Sequence, residues 1–220
     1  MGGGMTKLIM LCHTPSWKTL RAVWSVLRNT EDVTLTIVRT KHSCARNRAI
    51  GMDTLKLAEG EHFVMMDDDV IVRPGWLDAL RKYATGGVGM VSAPLRNPWL
   101  FTRLRHLKRS FRRSNRVTGP VENIVPAVIL CRYAYGVKPD CAYGGSQRED
   151  TDLIMQYKSR GYTLYVSPDT WFYHSGGKIA SNRTANTELF IRKWGVNPDD
   201  GFILRPEGLI EKTIDYLRRH

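Results

Sequence analysis

The sequence lacks any apolar run of about 18 residues, the length that a membrane-spanning helix requires. Its longest apolar strings, at 63–66 and 124–131, have the length of strands. Cysteine is scarce, no CxxC spacing occurs, and the N-terminal residues lack the pattern of a secretory signal peptide. We therefore expect a cytoplasmic protein with reduced thiols at Cys12, Cys44, Cys131 and Cys141.

Acidic residues are absent between Asp78 and Glu122, although the chain contains 21 in all. This stretch instead contains ten basic residues, which account for most of the formal net charge of +12. Such a concentration indicates an anionic partner: nucleic acid, an acidic membrane surface or a polyanionic substrate. A solvated face without a partner would show the same pattern. The ten are Arg81, Lys82, Arg96, Arg103, Arg105, Lys108, Arg109, Arg112, Arg113 and Arg116.

Strand-like and helix-like patterns alternate along the first half of the 220 residues. The predicted strands are 7–12, 33–38, 62–66 and 88–92. The predicted helices begin near Pro15, after the capping residue Ser43, and at residue 75. This order is typical of an α/β fold with a mostly parallel, doubly wound sheet, in which ligands bind beyond the carboxyl ends of the strands.

The second half mixes its elements more irregularly. Its predicted strands are 124–131, 163–166 and 170–173, and its predicted helices are 150–160, 184–194 and 207–219. No repeat or low-complexity linker divides the chain, so we expect one domain. The first four residues, MGGG, resemble a remnant of cloning, so they are left out of the fold prediction.

Three consecutive aspartates, Asp67, Asp68 and Asp69, end the buried strand in the string VMMDDDV. Adjacent carboxylates repel one another and are costly beside a buried strand unless a cation or solvent compensates them. In an extended chain Asp67 and Asp69 point to the same side, and two hard oxygen ligands there suit Mg²⁺ or Mn²⁺. A polar loop with one aspartate capping the next helix is the structural alternative.

A second acidic group lies in GGSQREDTDL, residues 144–153, at the start of a predicted helix. Acidic side chains there are stabilising through capping and the helix dipole, which is one interpretation of Glu149, Asp150 and Asp152. The functional interpretation is a carboxylate general base beside a space lined by Gly144 and Gly145 that can admit a substrate. His174, in WFYHSGG, is a structural histidine unless it joins the aspartates as a metal ligand.

The order of these motifs resembles the GT-A fold glycosyltransferases of the large family 2 type. A strand ends in DxD, the ED(T)D helix start follows about 80 residues later, and a histidine follows about 25 residues beyond that. Further matching strings are CARNRAIG at 44–51, PGWLDAL at 74–80 and NTELFIRKWG at 186–195. The resemblance covers roughly residues 6–195. It implies one GT-A domain over 1–220, with a nucleotide-sugar-binding half at 5–92 and an acceptor and catalytic half at 93–220.

The resemblance also implies roles for individual residues. Asp69 corresponds to the family's metal ligand, His174 to the histidine that can complete the metal site, and Asp67 to the aspartate at the nucleotide ribose. Asp150 corresponds to the catalytic base, with Glu149 beside it. The remaining implied nucleotide-sugar-binding residues are Thr14, Pro15, Arg46, Asn47, Asp68 and Lys178.

The implied activity is transfer of a sugar from a nucleotide-diphosphate sugar to an acceptor hydroxyl, with Mn²⁺ or Mg²⁺ as cofactor. Asp150 would take the acceptor proton during a single displacement with inversion, although related families retain configuration with similar motifs. Family members often carry an aspartate after the second strand that binds the base. This chain has Arg39 and Lys41 in that region, so a UDP-sugar is only the default expectation.

The acceptor is predicted from the string WLFTRLRHLKRSFRR at 99–113, which has the pattern of a basic amphipathic helix. It could be a packed helix with a solvated face, a membrane-surface helix serving a lipid-linked or glycan acceptor, or an element that binds nucleic-acid phosphates. Its excess of arginine favours DNA carrying a hydroxymethylpyrimidine. A two-metal nuclease and a non-catalytic sugar-nucleotide binding module are the remote alternatives. The predicted acceptor-binding side chains are Arg103, Arg105, Lys108, Arg109, Arg112 and Arg113.

Overall fold

The structure is a computed structural model that describes residues 5–96, 117–175 and 182–199. Its first half alternates strands and helices. These are β1 (Thr6–Leu11), α1 (Trp17–Asn29), β2 (Val33–Val38), α2 (Cys44–Leu55), β3 (His62–Asp67), β4 (Val70–Ile71), α3 (Trp76–Arg81), β5 (Val88–Ser92) and β6 (Leu95–Arg96). The later elements are β7 (Gly119–Val121), β8 (Val128–Arg132), α4 (Glu149–Ser159), β9 (Thr163–Val166), β10 (Phe172–His174) and α5 (Arg183–Trp194).

Seven strands form the central sheet in the order β2-β1-β3-β8-β5-β9-β7. As predicted, β1 is parallel to both β2 and β3, and β5 is parallel to β9. Strand β8 is antiparallel to both of its neighbours, and β7 is antiparallel to β9, so the sheet is mixed rather than mostly parallel. A continuous apolar run such as that of β8 reports burial on both faces, but it does not specify strand direction.

Apolar side chains pack on both faces of the sheet. One cluster contains Trp76 and Phe172, whose rings meet edge to face at 5.9 Å, and the other contains Phe63 and Tyr157. Helix α2 lies so close to β1 that a Cβ on Gly51 would come within 2.6 Å of Ile9 Cγ2. Position 51 therefore requires glycine. The missing side chain allows α2 to pack directly against β1.

The element boundaries agree closely with those predicted from sequence. Ser43 caps α2, because its Oγ accepts a hydrogen bond from Arg46 N at 3.3 Å. The strand predicted over 124–131 is shorter and begins at Val128, since the residues around Pro126 form a turn. The helix predicted over 207–219 lies outside the described residues. Within the described ranges, no helix combines the length and the apolar character needed to cross a membrane.

A smaller sheet in the order β4-β10-β6 lies next to the three aspartates and brings His174 to them. Strand β10 runs antiparallel to β4, and His174 pairs with Val70 directly after the DDD segment. Ser175 N also donates to Asp69 O at 3.1 Å. This pairing brings two segments that lie more than a hundred positions apart in the sequence to the carboxyl end of β3.

Candidate active site

Two carboxylates and one imidazole converge at the carboxyl end of β3. Asp67 is the last residue of that strand, Asp69 lies in the following turn, and His174 ends β10. One ligand atom from each of the three lies within 4.8 Å of the others. The structure thus groups the three residues predicted from sequence as metal ligands, and within the described ranges they form the one such group.

Asp69 and His174 each favour the charged form of the other, because His174 Nε2 lies 3.2 Å from Asp69 Oδ1. Burial opposes ionisation of Asp69, but the hydrogen bond and charge of His174 outweigh it and lower the pKa of the carboxyl. Burial likewise opposes protonation of His174, and Asp69 outweighs it, so the pKa of the imidazole is raised. The cluster thus favours a positive charge beside its carboxylates.

The donor set fits a hard divalent cation. Carboxylate oxygens are the ligands that Mg²⁺ and Mn²⁺ prefer, and such ions complete their shells with water and phosphate oxygens. A bound cation would supply the compensating charge that the two aspartates need. Asp67, Asp69 and His174 are therefore the residues that would hold the metal.

Asp68, between the two candidate ligands, has a different position. Its Oδ2 accepts a hydrogen bond from Thr19 Oγ1 of α1 at 2.8 Å. Burial is the main cause that raises the pKa of the Cys12 thiol, and the hydrogen bond and charge of Asp68 act in the same direction. Asp68 is thus tied to the first turns of α1. Thr14 and Pro15 are exposed in the loop that leads into this helix, on the side of the molecule where the aspartates lie.

A buried arginine connects the two acidic motifs. Arg48 of α2 places Nη1 3.2 Å from Glu149 Oε1 and Nη2 3.9 Å from Asp67 Oδ1. Arg48 and Glu149 are both nearly inaccessible to solvent, at 6% and 4% relative exposure. This guanidinium holds the start of α4 beside the end of β3. The family resemblance implied a role for the nearby Arg46 instead, which is exposed.

One guanidinium does not fully compensate the buried carboxylate of Glu149 and the half-buried one of Asp67. Burial is the main cause that raises the pKa of Asp67 to about 6, with Arg48 acting in the opposite direction. Burial, followed by the charge of Asp150, raises the pKa of Glu149 to about 7. Glu149 Oε2 is also buried without a hydrogen-bond partner. The site therefore contains more acidic groups than its own cations stabilise, which is the electrostatic condition for taking up a metal ion.

The loop before α4 is held from behind by Asn186 of α5. The Asn186 side chain accepts from Gly144 N at 3.1 Å and donates to Gly144 O and Gln147 O, both at 2.8 Å. The loop in turn accepts from Cys44 N through Gly145 O at 2.8 Å, which ties it to α2. Asn186 thereby fixes the glycine pair next to Glu149 and Asp150.

The third acid of the ED(T)D motif is structural. Asp152 is fully buried and accepts hydrogen bonds from the side chains of Tyr143, Gln156, Lys193 and Trp194. Two of these donors belong to the NTELFIRKWG segment, so that motif anchors α5 onto α4. Because Asp152 is fully engaged, the acids of α4 do not supply the second metal site that a two-metal nuclease requires.

We expect Asn186→Ala to lower the free energy of unfolding by about 1–3 kcal/mol, because it leaves buried backbone groups of the glycine loop without their hydrogen-bond partner. Metal binding at Asp67, Asp69 and His174 should change little. Denaturant unfolding combined with Mn²⁺ titration measures both quantities. Glu188→Ala, an exposed change on the same helix, is the matched control, and equal effects of the two substitutions would contradict the role of Asn186.

The remaining predicted residues are distributed as follows. Asn47 is buried, and its side chain accepts from Thr40 Oγ1 and donates to His42 O, so it supports the loop after β2. Arg39 and Arg46 are exposed. Several predicted donor and acceptor residues lie outside the described residues: Lys178, Arg103, Arg105, Lys108, Arg109, Arg112 and Arg113.

Comparisons with known proteins identify the fold of the chain. No family model and no curated protein matches the chain. Among solved structures, GalNAc-T7 crystallised with UDP, GalNAc and Mn²⁺ aligns with a TM-score of 0.57 and 12% identity over 77% of this chain and 43% of that one. TarS of S. aureus aligns with a TM-score of 0.56 and 11% identity over 92% of this chain and 46% of that one.

The chain thus spans less than half the length of these two proteins. A shorter TarS structure, residues 1–349, aligns over 95% of this chain and 77% of that one, with a TM-score of 0.50 and 11% identity. Identities this low establish architecture alone. On that ground the prediction of fold is confirmed: the chain has the GT-A fold of these glycosyltransferases.

Proposed function

We propose that the chain is a metal-dependent glycosyltransferase that transfers a sugar from a nucleotide-diphosphate sugar to an acceptor hydroxyl. The observation that carries this proposal is the convergence of Asp67, Asp69 and His174 beside Glu149 and Asp150 on a GT-A fold. A bare carboxylate–imidazole cluster is compatible with many metal sites. Its position at the carboxyl end of β3, with the second acidic motif linked to it through Arg48, favours sugar transfer from a diphosphate donor.

Asp67, Asp69 and His174 would hold Mn²⁺ or Mg²⁺. When bound, the cation neutralises the charge that develops on a nucleoside diphosphate as it leaves. The two aspartates place their oxygens on one side of the turn, while Arg48 keeps Asp67 oriented from the buried side. The crystal of GalNAc-T7 contains UDP and Mn²⁺, which supports a UDP-sugar as the donor of this chain.

Asp150 is the proposed general base. It lies in the first turn of α4, is partly exposed, and its Oδ1 accepts from Thr151 N at 2.8 Å. Glu149, on the buried side, binds Arg48 and so fixes the turn that presents Asp150. An acceptor hydroxyl that loses its proton to Asp150 would attack the sugar from the face opposite the leaving diphosphate, giving inversion.

We expect Asp150→Asn to reduce sugar transfer about a hundredfold or more, because a positioned general base contributes about 10²–10⁴ in rate. Nucleotide binding in the presence of Mn²⁺ should be preserved. Asp53→Asn, which alters an exposed carboxylate paired with Lys138, is the control and should leave transfer unchanged. Full activity of the Asp150 variant would assign the base to another group.

The acceptor proposal is modified DNA bearing a hydroxymethylpyrimidine, supported by the arginine-rich sequence at 103–116. A lipid-linked or glycan acceptor at a membrane surface is the second candidate. It is favoured by the exposed apolar face of α1 described in the next subsection. Retention of the protein on DNA at low salt should be lost in Arg109→Ala/Arg112→Ala if DNA is the acceptor.

To test the proposal, the purified protein is incubated with Mn²⁺ and a panel of UDP- and GDP-sugars, and the released nucleoside diphosphate is measured. Parallel reactions contain hydroxymethylcytosine DNA, a lipid-linked acceptor in vesicles, or neither. Release stimulated by DNA supports the DNA acceptor, and release stimulated by the vesicles supports the lipid acceptor. Absence of release with every donor would contradict the transferase and favour a non-catalytic sugar-nucleotide binding module.

A further inference from the structure

Helix α1 exposes a stripe of large apolar side chains. The relative exposures of Trp17, Leu20, Trp24 and Leu27 are 52%, 73%, 60% and 58%. Their spacing of three, four and three residues places them on one face of the helix. Nine large hydrophobic residues are exposed within the described ranges, and these are four of them. The apolar surface is therefore concentrated on one helix rather than scattered singly, as it is on most soluble proteins.

The same helix packs on the sheet through its opposite, smaller side chains. Thr19, Ala22, Ser25 and Val26 are buried, and the largest side chains of the helix are the ones left outside. Leucine and tryptophan normally supply the buried face of an amphipathic helix. Because these side chains lie outside here, α1 has two faces suited to burial. One packs on the sheet of this chain, and the other is exposed to a binding partner.

The charges on α1 are all of one sign. Residues 17–29 include Lys18, Arg21 and Arg28 and no acidic residue. The guanidinium carbon of Arg21 lies 5.2 Å from the Trp17 ring centre, and that of Arg28 lies 4.8 Å from the Trp24 ring centre. Each tryptophan on the stripe is thus bordered by an arginine. Tryptophan and leucine on one side with basic residues beside them are typical of helices that lie in a membrane interface.

A second basic and aromatic group adjoins this helix. Ser25 and Asn29 of α1 bind the backbone of Val72 at 3.2 and 3.1 Å, which places the next residue, Arg73, beside α1. The guanidinium of Arg73 lies 4.4 Å from the ring centre of Trp171, and that of Arg96 lies 4.2 Å from the same ring. These arginines lie next to the packed side of α1, so they add positive charge near the helix without being part of its exposed face.

We infer that the exposed face of α1 docks on the surface of an anionic lipid bilayer. Its apolar stripe would enter the headgroup region, while Arg21 and Arg28 contact lipid phosphates. A second copy of this chain is a poor occupant. Two α1 faces brought together would oppose their arginines, and the acidic side chains nearest to them along the chain, Glu31 and Asp32, lie beyond the end of the helix.

Docking through α1 would also place the candidate metal site close to the membrane. Thr19, in the first turn of α1, donates to Asp68 between the two metal-ligating aspartates. The start of the docked helix and the DDD turn are therefore in direct contact. An acceptor carried on a lipid headgroup would meet the site without leaving the bilayer. This consequence depends on the proposed function, whereas the docking itself does not.

The experiment measures cosedimentation of the full chain with phosphatidylcholine vesicles that contain about one third phosphatidylglycerol, without any donor. Trp24→Ser/Leu27→Ser should lower the partition coefficient about tenfold or more, because it removes two buried apolar groups. Arg21→Gln/Arg28→Gln should lower it about fivefold for each removed charge, and this variant keeps the apolar stripe intact. The wild-type protein should bind weakly to vesicles of phosphatidylcholine alone.

The matched control is Tyr135→Ser, which removes an exposed aromatic ring, at 85% relative exposure, away from α1. It should bind like the wild type, and circular dichroism should show equal folding of all variants. Wild-type binding that survives both α1 variants would overturn the inference, as would absence of wild-type binding. A dimer that Trp24→Ser/Leu27→Ser converts to monomer would instead assign the face to a second copy. Because no reaction is measured, these outcomes are independent of whether the transferase proposal holds.

Discussion

Asp69→Asn is expected to reduce release of nucleoside diphosphate from the donor by roughly 10³-fold. Asp69 contributes a carboxylate oxygen to the cluster with Asp67 and His174, and it forms the ion pair with His174 at 3.2 Å. A metal ion supplies several kcal/mol of stabilisation to a charged leaving group, and each 1.36 kcal/mol of barrier corresponds to a factor of about ten in rate. The measurement is donor turnover at saturating Mn²⁺, with the affinity for Mn²⁺ determined in parallel.

Asn has nearly the same shape as Asp, so the substitution tests the charge rather than the packing. Asp169→Asn is the matched control, since Asp169 is a surface carboxylate that pairs with Lys82 at 2.7 Å. It should retain wild-type turnover and Mn²⁺ affinity. Unchanged Mn²⁺ affinity in Asp69→Asn would show that the metal lies elsewhere or that the reaction needs none.

Arg48→Met is expected to destabilise the fold by about 3–5 kcal/mol, because it removes the guanidinium that compensates the buried carboxylate of Glu149 and the half-buried one of Asp67. For a chain of this length the midpoint of thermal unfolding should fall by roughly 6–20 °C. Activity should also fall, since Arg48 orients both Asp67 and Glu149. Differential scanning calorimetry and circular dichroism measure the shift.

A double-mutant cycle separates the ion pair from simple loss of packing. Arg48→Met/Glu149→Gln removes both partners, so the double variant should be less destabilised than the sum of the single variants. The exposed pair of Arg183 with Asp199 offers a comparison, and Arg183→Met should cost about 1 kcal/mol or less. Additive effects of Arg48→Met and Glu149→Gln would show that the two side chains are not coupled.

The longer strands and the helices were predictable because their signals are local, whereas the short strands β4, β6 and β7 were not predicted. The apolar run before the aspartates, the cap at Ser43 and the glycine after α5 each depend on neighbouring residues in the sequence. The directions of the strands were harder to predict from the sequence. The run that forms β8 is apolar throughout, so neither its direction nor its place between β3 and β5 can be inferred from its residues.

The metal cluster was predictable in part for the same reason. Asp67 and Asp69 are neighbours in one turn, and the general rule for α/β sheets places ligands at the carboxyl ends of strands. The contribution of His174 depended on the order of motifs, since only the pairing of β10 with β4 brings it to Asp69. That antiparallel pairing has no signature in the residues around His174.

Arg48 was missed although the sequence contained a signal for it. Ala45, Ala49, Met52 and Leu55 define the buried face of α2, and Arg48 lies on that face while Arg46 does not. A charged residue on a buried helix face requires partners, and the acidic motifs are the available ones. The periodicity that predicts the helix therefore also indicates which arginine is inside.

Asn186 was recognisable only through the family resemblance of its segment, whereas Asp152 was noticed as an acid at a helix start but its burial had no local signal. Both act through contacts that join residues about 40 positions apart, between the glycine loop and α5 and between α4 and α5. The exposed face of α1 is a further case. The spacing of Leu20, Trp24 and Leu27 predicts a helix correctly, but periodicity does not state which side of the helix packs on the sheet.

The central claim is that Asp67, Asp69 and His174 bind a cation that in turn binds a nucleotide diphosphate. The most direct measurement is a calorimetric titration of UDP into the protein with and without Mn²⁺, repeated with Asp69→Asn. The account predicts saturable UDP binding that requires Mn²⁺ and disappears in the variant. UDP binding of equal strength without metal, or equal binding by Asp69→Asn, would contradict it.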